Sequence, residues 1–160
     1  MGIRYYAYPV AQDLVGLALQ SPEKFLAEDP LADAWQLGRD RPPMLYLDKC
    51  WNELQALLGA SEDRPARRSF ALVEGAVTHT DEGWLPFYRA LSPYDVRQVA
   101  DDIAKVDAND VNRLLAEHPR WGEHHGEEME REYINQYLTD AQSFTAELSR
   151  DGLGLVYMIG

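Results

Sequence analysis

Residues 120–128, which read RWGEHHGEE, hold the densest group of chemically active side chains in the sequence. Histidine and carboxylate side chains are common zinc ligands, so His124 and His125 among glutamates raise the question of a metal site. Adjacent histidines point apart on a regular element, however. The chain has no His-Glu-x-x-His spacing and no second cysteine. We therefore predict no metal and no cofactor.

The same stretch has a simpler interpretation as the polar approach to a helix. Glu127 and Glu128 would occupy the first helical turn, where the positive end of the helix dipole stabilises carboxylates. Trp121 would anchor the loop on the body of the protein. The sequence leaves open whether the following side chains converge in space: His118, His124, His125, Glu123 and Glu127.

Asp48 and Lys49 form a second chemical candidate. A carboxylate beside an amine can act as an acid and base pair when a cleft desolvates both. Neighbouring residues on a helix do not face one another, however. The sequence therefore favours Asp48 as the N-cap of a helix, Lys49 in solvent and Trp51 in the core.

Cys50, the only cysteine, is the third candidate. A lysine neighbour and a helix N-terminus both lower the pKa of a thiol, as a nucleophile requires. A catalytic cysteine also needs a histidine base within hydrogen-bond reach, and the sequence places none there. We interpret Cys50 as a small buried hydrophobe and assign no catalytic residue.

Charge and aromatic content bear on partners. The net charge is -12, from 27 acidic and 15 basic residues, and nine tyrosines accompany four tryptophans. Such a field repels phosphate backbones, so we expect no nucleic-acid partner. It favours a cationic protein, and tyrosine and tryptophan are typical of recognition surfaces. Two other interpretations stay open: acidity that only maintains solubility, and core tyrosines whose hydroxyls emerge at the rim.

Length and patterning predict one domain, residues 1–160, in a cytoplasmic protein without membrane association. A chain of 160 residues suits one core. No apolar run approaches the roughly 20 residues that span a bilayer. The N-terminus lacks the apolar region of a signal peptide, and a single cysteine excludes an internal disulfide.

Hydrophobic periodicity and capping signals predict the elements that position these residues. Strands are expected at 3–10, 70–77 and 155–159, the last of them in the centre of the sheet, and one or two further short strands at 44–47 or 83–89. Helices are expected at 13–20, from the Ser21 cap to about 29–30, at 47–59 with Gly59 as a left-handed end, from Ser92, from Asp107, and at 127–150 before Gly152. The fold class is α+β: a small mixed β-sheet of about three to five strands covered by helices, with a long C-terminal helix followed by a final strand.

Several motifs resemble the YfbM-like family of small bacterial proteins. They are Met-Gly-Ile followed by aromatics, Leu47-Asp48-Lys49-x-Trp51, Leu91-Ser92-Pro93-x-x-Val96, and a long last helix that runs into an apolar strand. Together they cover nearly the whole chain. The resemblance implies a compact α+β domain and supplies no reaction, cofactor or catalytic residue. Many family members carry a histidine where Gln55 stands here, so any chemistry of that histidine is missing.

Two functional hypotheses follow. The first is a non-enzymatic acidic interaction module, of the kind that serves as an immunity or regulatory factor, bound to a cationic protein partner. The second is a small-molecule-binding protein or a hydrolase-type enzyme with a pocket between the sheet and the helix at 48–58. Its candidate ligand-binding residues are Tyr5, Asp48, Lys49, Trp51 and Arg89. The first is favoured because the sequence shows no catalytic constellation.

Overall fold

The computed structural model describes residues 2–160. Its strands are β1 (Tyr5–Val10), β2 (Leu45–Asp48), β3 (Thr78–Thr80), β4 (Gly83–Leu85), β5 (Phe87–Leu91) and β6 (Gly154–Ile159). Its α-helices are α1 (Val15–Gln20), α2 (Pro30–Trp35), α3 (Trp51–Leu58), α4 (Pro93–Ile103), α5 (Ala108–Glu117) and α6 (Glu127–Asp151). This is the predicted α+β class with a long C-terminal helix before a final strand, and the predicted short strands at 44–47 and 83–89 are confirmed.

Four strands form the main sheet in the order β2-β1-β6-β5, and β3 and β4 form a separate hairpin. The predicted central place of the final strand is confirmed, since β6 pairs with both β1 and β5. The sheet differs from the prediction in one respect, because every pair is antiparallel instead of mixed. Strands β5 and β6 are also antiparallel, although three α-helices connect them.

Both faces of the sheet are covered. Tyr5, Leu155 and Tyr157 point to the core that α3, α4, α5 and α6 complete. Tyr6 and Val156, one position along, point to a second core formed with the N-terminal helical segments. Successive side chains alternate between faces, so β1 and β6 are buried along nearly their whole length.

The strongest capping signals act as predicted. Ser92 and Asp107 each form a reciprocal capping box with the acid three residues on. Gly152 ends α6 with a left-handed φ of 67°. The prediction for Gly59 is wrong, because its φ of -76° is extended, although its amide still bonds to the Gln55 carbonyl. A C-cap hydrogen bond therefore forms here without the left-handed conformation.

The predicted helix after Ser21 is wrong in extent. Ser21 makes no side-chain cap bond, and only a short 3-10 helix, Pro22–Phe25, follows it. The cap–proline signal is instead used at Asp29, whose carboxylate accepts the Ala32 amide at 3.0 Å and begins α2. Because both segments carry the same cap–proline pattern, the pattern alone does not show which of them forms an α-helix. Helices this short depend on tertiary packing for their stability.

The predicted strand at 70–77 is also wrong. A 3-10 helix occupies Arg68–Leu72, and an irregular segment continues to β3. Its carbonyls are satisfied by distant side chains: the Tyr5 hydroxyl donates to Leu72 at 2.8 Å, and the Tyr157 hydroxyl donates to Glu74 at 2.6 Å. The Gln55 amide donates to Gly75 at 2.8 Å. Buried backbone groups need partners, and here side chains replace a strand ladder.

The longest helix, α6, runs for 25 residues along the sheet. Its inner stripe of Ile134, Leu138, Ala141 and Leu148 is buried, and charged residues occupy much of the rest of its surface. Neither this helix nor any other within residues 2–160 has the length and apolar character needed to cross a membrane.

Candidate functional site

A cleft of about 510 Å³ lies between α6 and the segment 38–44 that leads into β2. An adjoining hollow of about 250 Å³ shares four of its residues and continues along β2 to Tyr46. We call the two together the α6 cleft. One side is formed by residues 41–46. The other side is a stripe of α6: Asp140, Ser143, Phe144, Glu147, Leu148 and Asp151.

The local sequence explains both sides of the α6 cleft. The α6 residues recur at intervals of three and four, which places them on one face of the helix. At a rise of 1.5 Å per residue, the stripe from Asp140 to Asp151 extends about 16 Å. On the opposite side, Pro42 and Pro43 hold an extended chain before β2. The result is an elongated groove with the apolar side chains of Met44 and Phe144 among its lining.

The α6 cleft is negatively charged. Asp140, Glu147 and Asp151 face one guanidinium, that of Arg41. Within residues 2–160, no salt bridge uses Asp140 or Glu147, and Asp151 approaches only its exposed neighbour Arg150 at 3.9 Å. Burial raises the pKa of Asp140, and the charge of Arg41 opposes that rise. The arrangement is suited to a cationic group whose hydrocarbon part packs on the apolar lining.

Asp48, predicted as a helix cap, has another role. Its Oδ1 accepts the Arg4 Nε and the Tyr46 hydroxyl, each at 3.0 Å, and its φ of 48° is left-handed. The helix begins later, at Trp51, with Cys50 as an N-cap that makes no side-chain bond. The cap prediction is wrong because the chain turns sharply between β2 and α3, a conformation that aspartate tolerates.

Tyr46 connects Asp48 to the α6 cleft. Its side chain lines the hollow and stacks on Tyr6 with ring centroids 5.5 Å apart. Burial, followed by the hydrogen bond to Asp48, raises the pKa of Tyr46 to about 12. The hydroxyl therefore stays protonated and acts as a donor. Of the five predicted ligand-binding residues, Asp48 alone forms a hydrogen bond with a residue that lines the cleft, Tyr46.

The other four predicted residues lie elsewhere. Tyr5 is fully buried and its hydroxyl is engaged with the Leu72 carbonyl. Lys49 is exposed as expected, and the half-buried Trp51 donates its Nε1 proton to the Ile3 carbonyl at 3.1 Å.

Arg89 lies at the far side of the sheet from Asp48. It belongs to β5, and its guanidinium pairs with Glu74 at 2.8 Å, while Asp48 ends β2 at the opposite edge. The structure therefore distributes the five residues over the core and both edges of the sheet.

Cys50 is buried as predicted. Burial raises the pKa of its thiol, and the nearby carboxylates Glu53 and Glu130 raise it further. Both effects favour the protonated thiol, which is a poor nucleophile. Nothing in this environment activates Cys50.

The histidine stretch forms an exposed loop before α6. The rings of His124 and His125 lie 6.5 Å apart, and His118 stacks on Trp121 at 4.2 Å. Trp121 packs against the main core, as an anchor would. Over residues 2–160, no three His, Cys, Asp or Glu side chains are grouped so that they could hold a metal ion.

Sequence reasoning missed the residues of the α6 cleft: Arg41, Asp140, Glu147 and Asp151. One signal was present, because these acids lie at helical spacing beside apolar residues of the long helix. Acids beside such residues are also typical of an ordinary solvent boundary. The distinguishing fact is that residues 38–44 cross opposite them, and that is a tertiary contact.

The fold and cleft define a small α+β protein with an antiparallel sheet covered on both faces. The chain belongs to the DUF1877 family, a domain of unknown function, whose model matches residues 1–158. Among solved structures it is similar to YfbM from Escherichia coli, a protein of unknown function. The identity is 21%, the match covers 99% of this chain and 100% of that one, and the TM-score is 0.55. The search of curated proteins found no match. The resemblance drawn from the motifs is thus confirmed.

Proposed function

We propose that this protein is a non-enzymatic interaction module that binds a cationic segment of another protein in the α6 cleft, as an immunity or regulatory factor would. One observation carries the proposal: three carboxylates with a single opposing guanidinium lie along a groove whose lining includes the apolar side chains of Met44 and Phe144. The net charge of -12 extends the same sign over the whole molecule. Complementary charge accelerates encounter and discriminates among partners.

The lining of the cleft suits lysine and arginine side chains in particular. Their hydrocarbon stems can lie on Met44 and Phe144 while the charged head reaches Asp140 or Glu147. Each such ion pair contributes about 0.2–1 kcal/mol when solvent reaches it. Several pairs together with apolar contact are therefore needed for useful affinity.

Exposed apolar side chains near one end of the cleft support docking of a protein. Trp35 is 69% exposed and Leu37 is 84% exposed. Leu37 directly precedes Gly38, which lines the cleft. Tryptophan is enriched among the residues that dominate binding energy at protein interfaces.

The test uses two triple variants that remove equal charge. The cleft variant carries Asp140→Asn, Glu147→Gln and Asp151→Asn, and the control carries Asp63→Asn, Asp81→Asn and Glu82→Gln at exposed positions outside the cleft. The probe is fluorescein-labelled hexalysine, measured by anisotropy, with hexaglutamate as the negative control. At about 0.5 kcal/mol per pair, we expect the cleft variant to bind about tenfold more weakly.

The control variant should bind hexalysine within about twofold of the parent, because surface charges far from the cleft are screened at physiological salt. Raising the salt concentration should weaken binding by the parent more than binding by the cleft variant. Equal losses in the two triple variants would mean that net charge alone attracts the peptide, and the proposed site would then be abandoned.

A second candidate is a small-molecule site around Asp48 at the start of the helix at 48–58, narrower than the pocket predicted from the sequence because the structure separates the other four residues assigned to that pocket. It is favoured by the left-handed backbone of Asp48, because non-glycine residues in sparsely populated backbone conformations cluster at functional sites. Thermal-shift screening of small amines, with Asp48→Asn as the comparison, tests it. Compounds that raise the melting temperature of the parent but not of Asp48→Asn would support this candidate over the first.

The proposal places the protein in the cytoplasm and gives it no nucleic-acid partner. The presence of only one cysteine supports that location, because small secreted domains are commonly rich in disulfides. The exclusion of nucleic acid follows from the charge, because phosphates would be repelled.

A further inference from the structure

The strand β2 forms an outer edge of the main sheet, and this edge borders the α6 cleft. In the order β2-β1-β6-β5, β2 has a strand neighbour on one side only. Its residues Leu45 and Tyr46 line the cleft on the other side. Edge strands present unpaired backbone groups, which are templates for another extended chain.

The hydrogen bonds of β1 show which backbone groups of β2 face the open edge. Arg4 and Gly160 exchange main-chain hydrogen bonds at 3.0 and 2.9 Å, so along β1 the main chain of Tyr6 faces β6 and that of Ala7 faces β2. Leu45 is the register partner of Ala7, so the main chain of Leu45 faces β1. Because hydrogen-bonding directions alternate along a strand, the N–H and C=O of Tyr46 face outward.

Nothing else in the described chain occupies these outward groups. Apart from strand pairing, no hydrogen bond within residues 2–160 uses the main chain of Met44 or Tyr46. Pro42 and Pro43 precede them and cannot donate, which limits the usable edge to the few residues of β2.

The dimensions of the cleft match a short extended peptide. Its α6 side extends about 16 Å, and five residues in a strand extend about 17 Å. Glu147 and Asp151 are separated by about 6 Å along the helix axis, close to the roughly 6.6 Å between alternate side chains of a strand. Alternate cations on a strand would therefore meet Glu147 and Asp151, while Asp140 lies about 10 Å further along the axis from Glu147 and is reached by a more distant residue.

We propose that an extended segment of the partner adds to the open edge of β2 as a fifth strand, with lysine or arginine at alternate positions facing the carboxylates of α6. This inference rests on the proposed function and specifies the partner as a basic, strand-forming segment. Main-chain bonds to Tyr46 supply affinity, and the alternate cations supply specificity. A second copy of this chain is disfavoured because its β2 would bring a further set of acids against the same carboxylates.

The test uses the five-residue peptide Lys-Thr-Lys-Thr-Lys, acetylated, amidated and fluorescein-labelled, bound to the full chain. Two isomers carry N-methyl groups on alternate backbone amides, so that one blocks the peptide edge facing β2 and the other blocks the opposite edge. Both keep the same charges. We expect one isomer to bind at least tenfold more weakly and the other to bind within about threefold of the parent peptide.

Hydrogen exchange provides a second measurement. The parent peptide should slow exchange of the Tyr46 amide at least tenfold, and it should leave the amides of β5 at the other sheet edge unchanged. Binding of both isomers like the parent, without protection of Tyr46, would overturn strand addition while leaving recognition of cations in place. Equal binding of the peptide by the cleft triple variant and the parent protein would instead remove the proposed function itself.

Discussion

Removing the Tyr5 hydroxyl tests whether this residue acts in the fold instead of in a ligand site. The hydroxyl donates to the Leu72 carbonyl at 2.8 Å, and both residues are 0% exposed. The substitution Tyr5→Phe keeps the ring and its stacking on Tyr157, whose centroid lies 5.2 Å away. It leaves a buried carbonyl without a donor, because no other hydrogen bond to that oxygen is present in residues 2–160.

The size of the effect follows from the unpaired acceptor. A buried group left without its partner costs about 1–3 kcal/mol, and we take about 2 kcal/mol here. With a urea dependence of about 2 kcal/mol/M, the unfolding midpoint should fall by about 1 M. The melting temperature should fall by about 4–8 °C for a chain of this size.

Urea unfolding followed by circular dichroism measures this loss, and Tyr94→Phe is the matched control. Tyr94 is exposed and its hydroxyl makes no hydrogen bond in the described structure, so its loss should stay within about 0.5 kcal/mol. If Tyr5→Phe changed the midpoint no more than Tyr94→Phe does, the hydroxyl would not hold the segment after Leu72, and the structural role assigned to Tyr5 would be wrong.

Three further predictions concern stability. Burial and Glu130 raise the pKa of Glu53, whose Oε2 has no partner, so its charge destabilises the fold. That penalty is absent below the unfolded pKa of about 4.3 and develops as pH rises, so Glu53→Gln should raise the melting temperature at pH 8 and lose this advantage near pH 4. Ser92→Ala should cost about 1 kcal/mol in denaturant unfolding, because it removes the acceptor for the Asp95 amide at 3.1 Å. Gly152→Ala should cost about 1 kcal/mol in the same assay, because φ is 67°.

Each of these has a control. Glu62→Gln at an exposed position should show no pH-dependent gain, and an equal gain for Glu53→Gln at pH 4 and pH 8 would contradict the burial argument. Ser92→Asp keeps an acceptor and should leave stability nearly unchanged; a loss as large as that of Ser92→Ala would speak against the cap. Gly16→Ala, in a helix with open space around it, should stabilise by about 0.5–1 kcal/mol, so a loss like that of Gly152→Ala would refute the conformational reason.

The elements that could be predicted from sequence are those whose signals are local. The Ser92 and Asp107 boxes close hydrogen bonds between residues three apart, and Gly152 ends α6 through its own backbone conformation. The apolar strand after α6 was predicted to take a central place in the sheet, and it does so. For such features the stabilising partner lies within a few residues, so the chain segment itself contains the relevant interaction.

The errors fall where a distant side chain replaces a local interaction. The segment at 70–77 looks like a strand, but Tyr5, Gln55 and Tyr157 supply its hydrogen bonds. At position 55 many relatives were expected to carry a histidine. Here the side-chain amide of Gln55 donates a hydrogen bond to the Gly75 carbonyl. Asp48 looks like a helix cap, but Arg4 binds it across the sheet. A local pattern cannot show that a partner many residues away satisfies the same group.

By itself, the sequence determined the fold class, the family resemblance, the acidic charge and the helix ends at Ser92, Asp107 and Gly152. These depend on composition and on short-range backbone chemistry. Only the tertiary structure decided that Arg41 and the segment around it lie opposite Asp140 and Glu147, and that β2 is an outer strand. The α6 cleft exists because the packing of α6 on the sheet sets the distance between segments that are far apart in the chain. Interactions between residues close in sequence do not determine that distance.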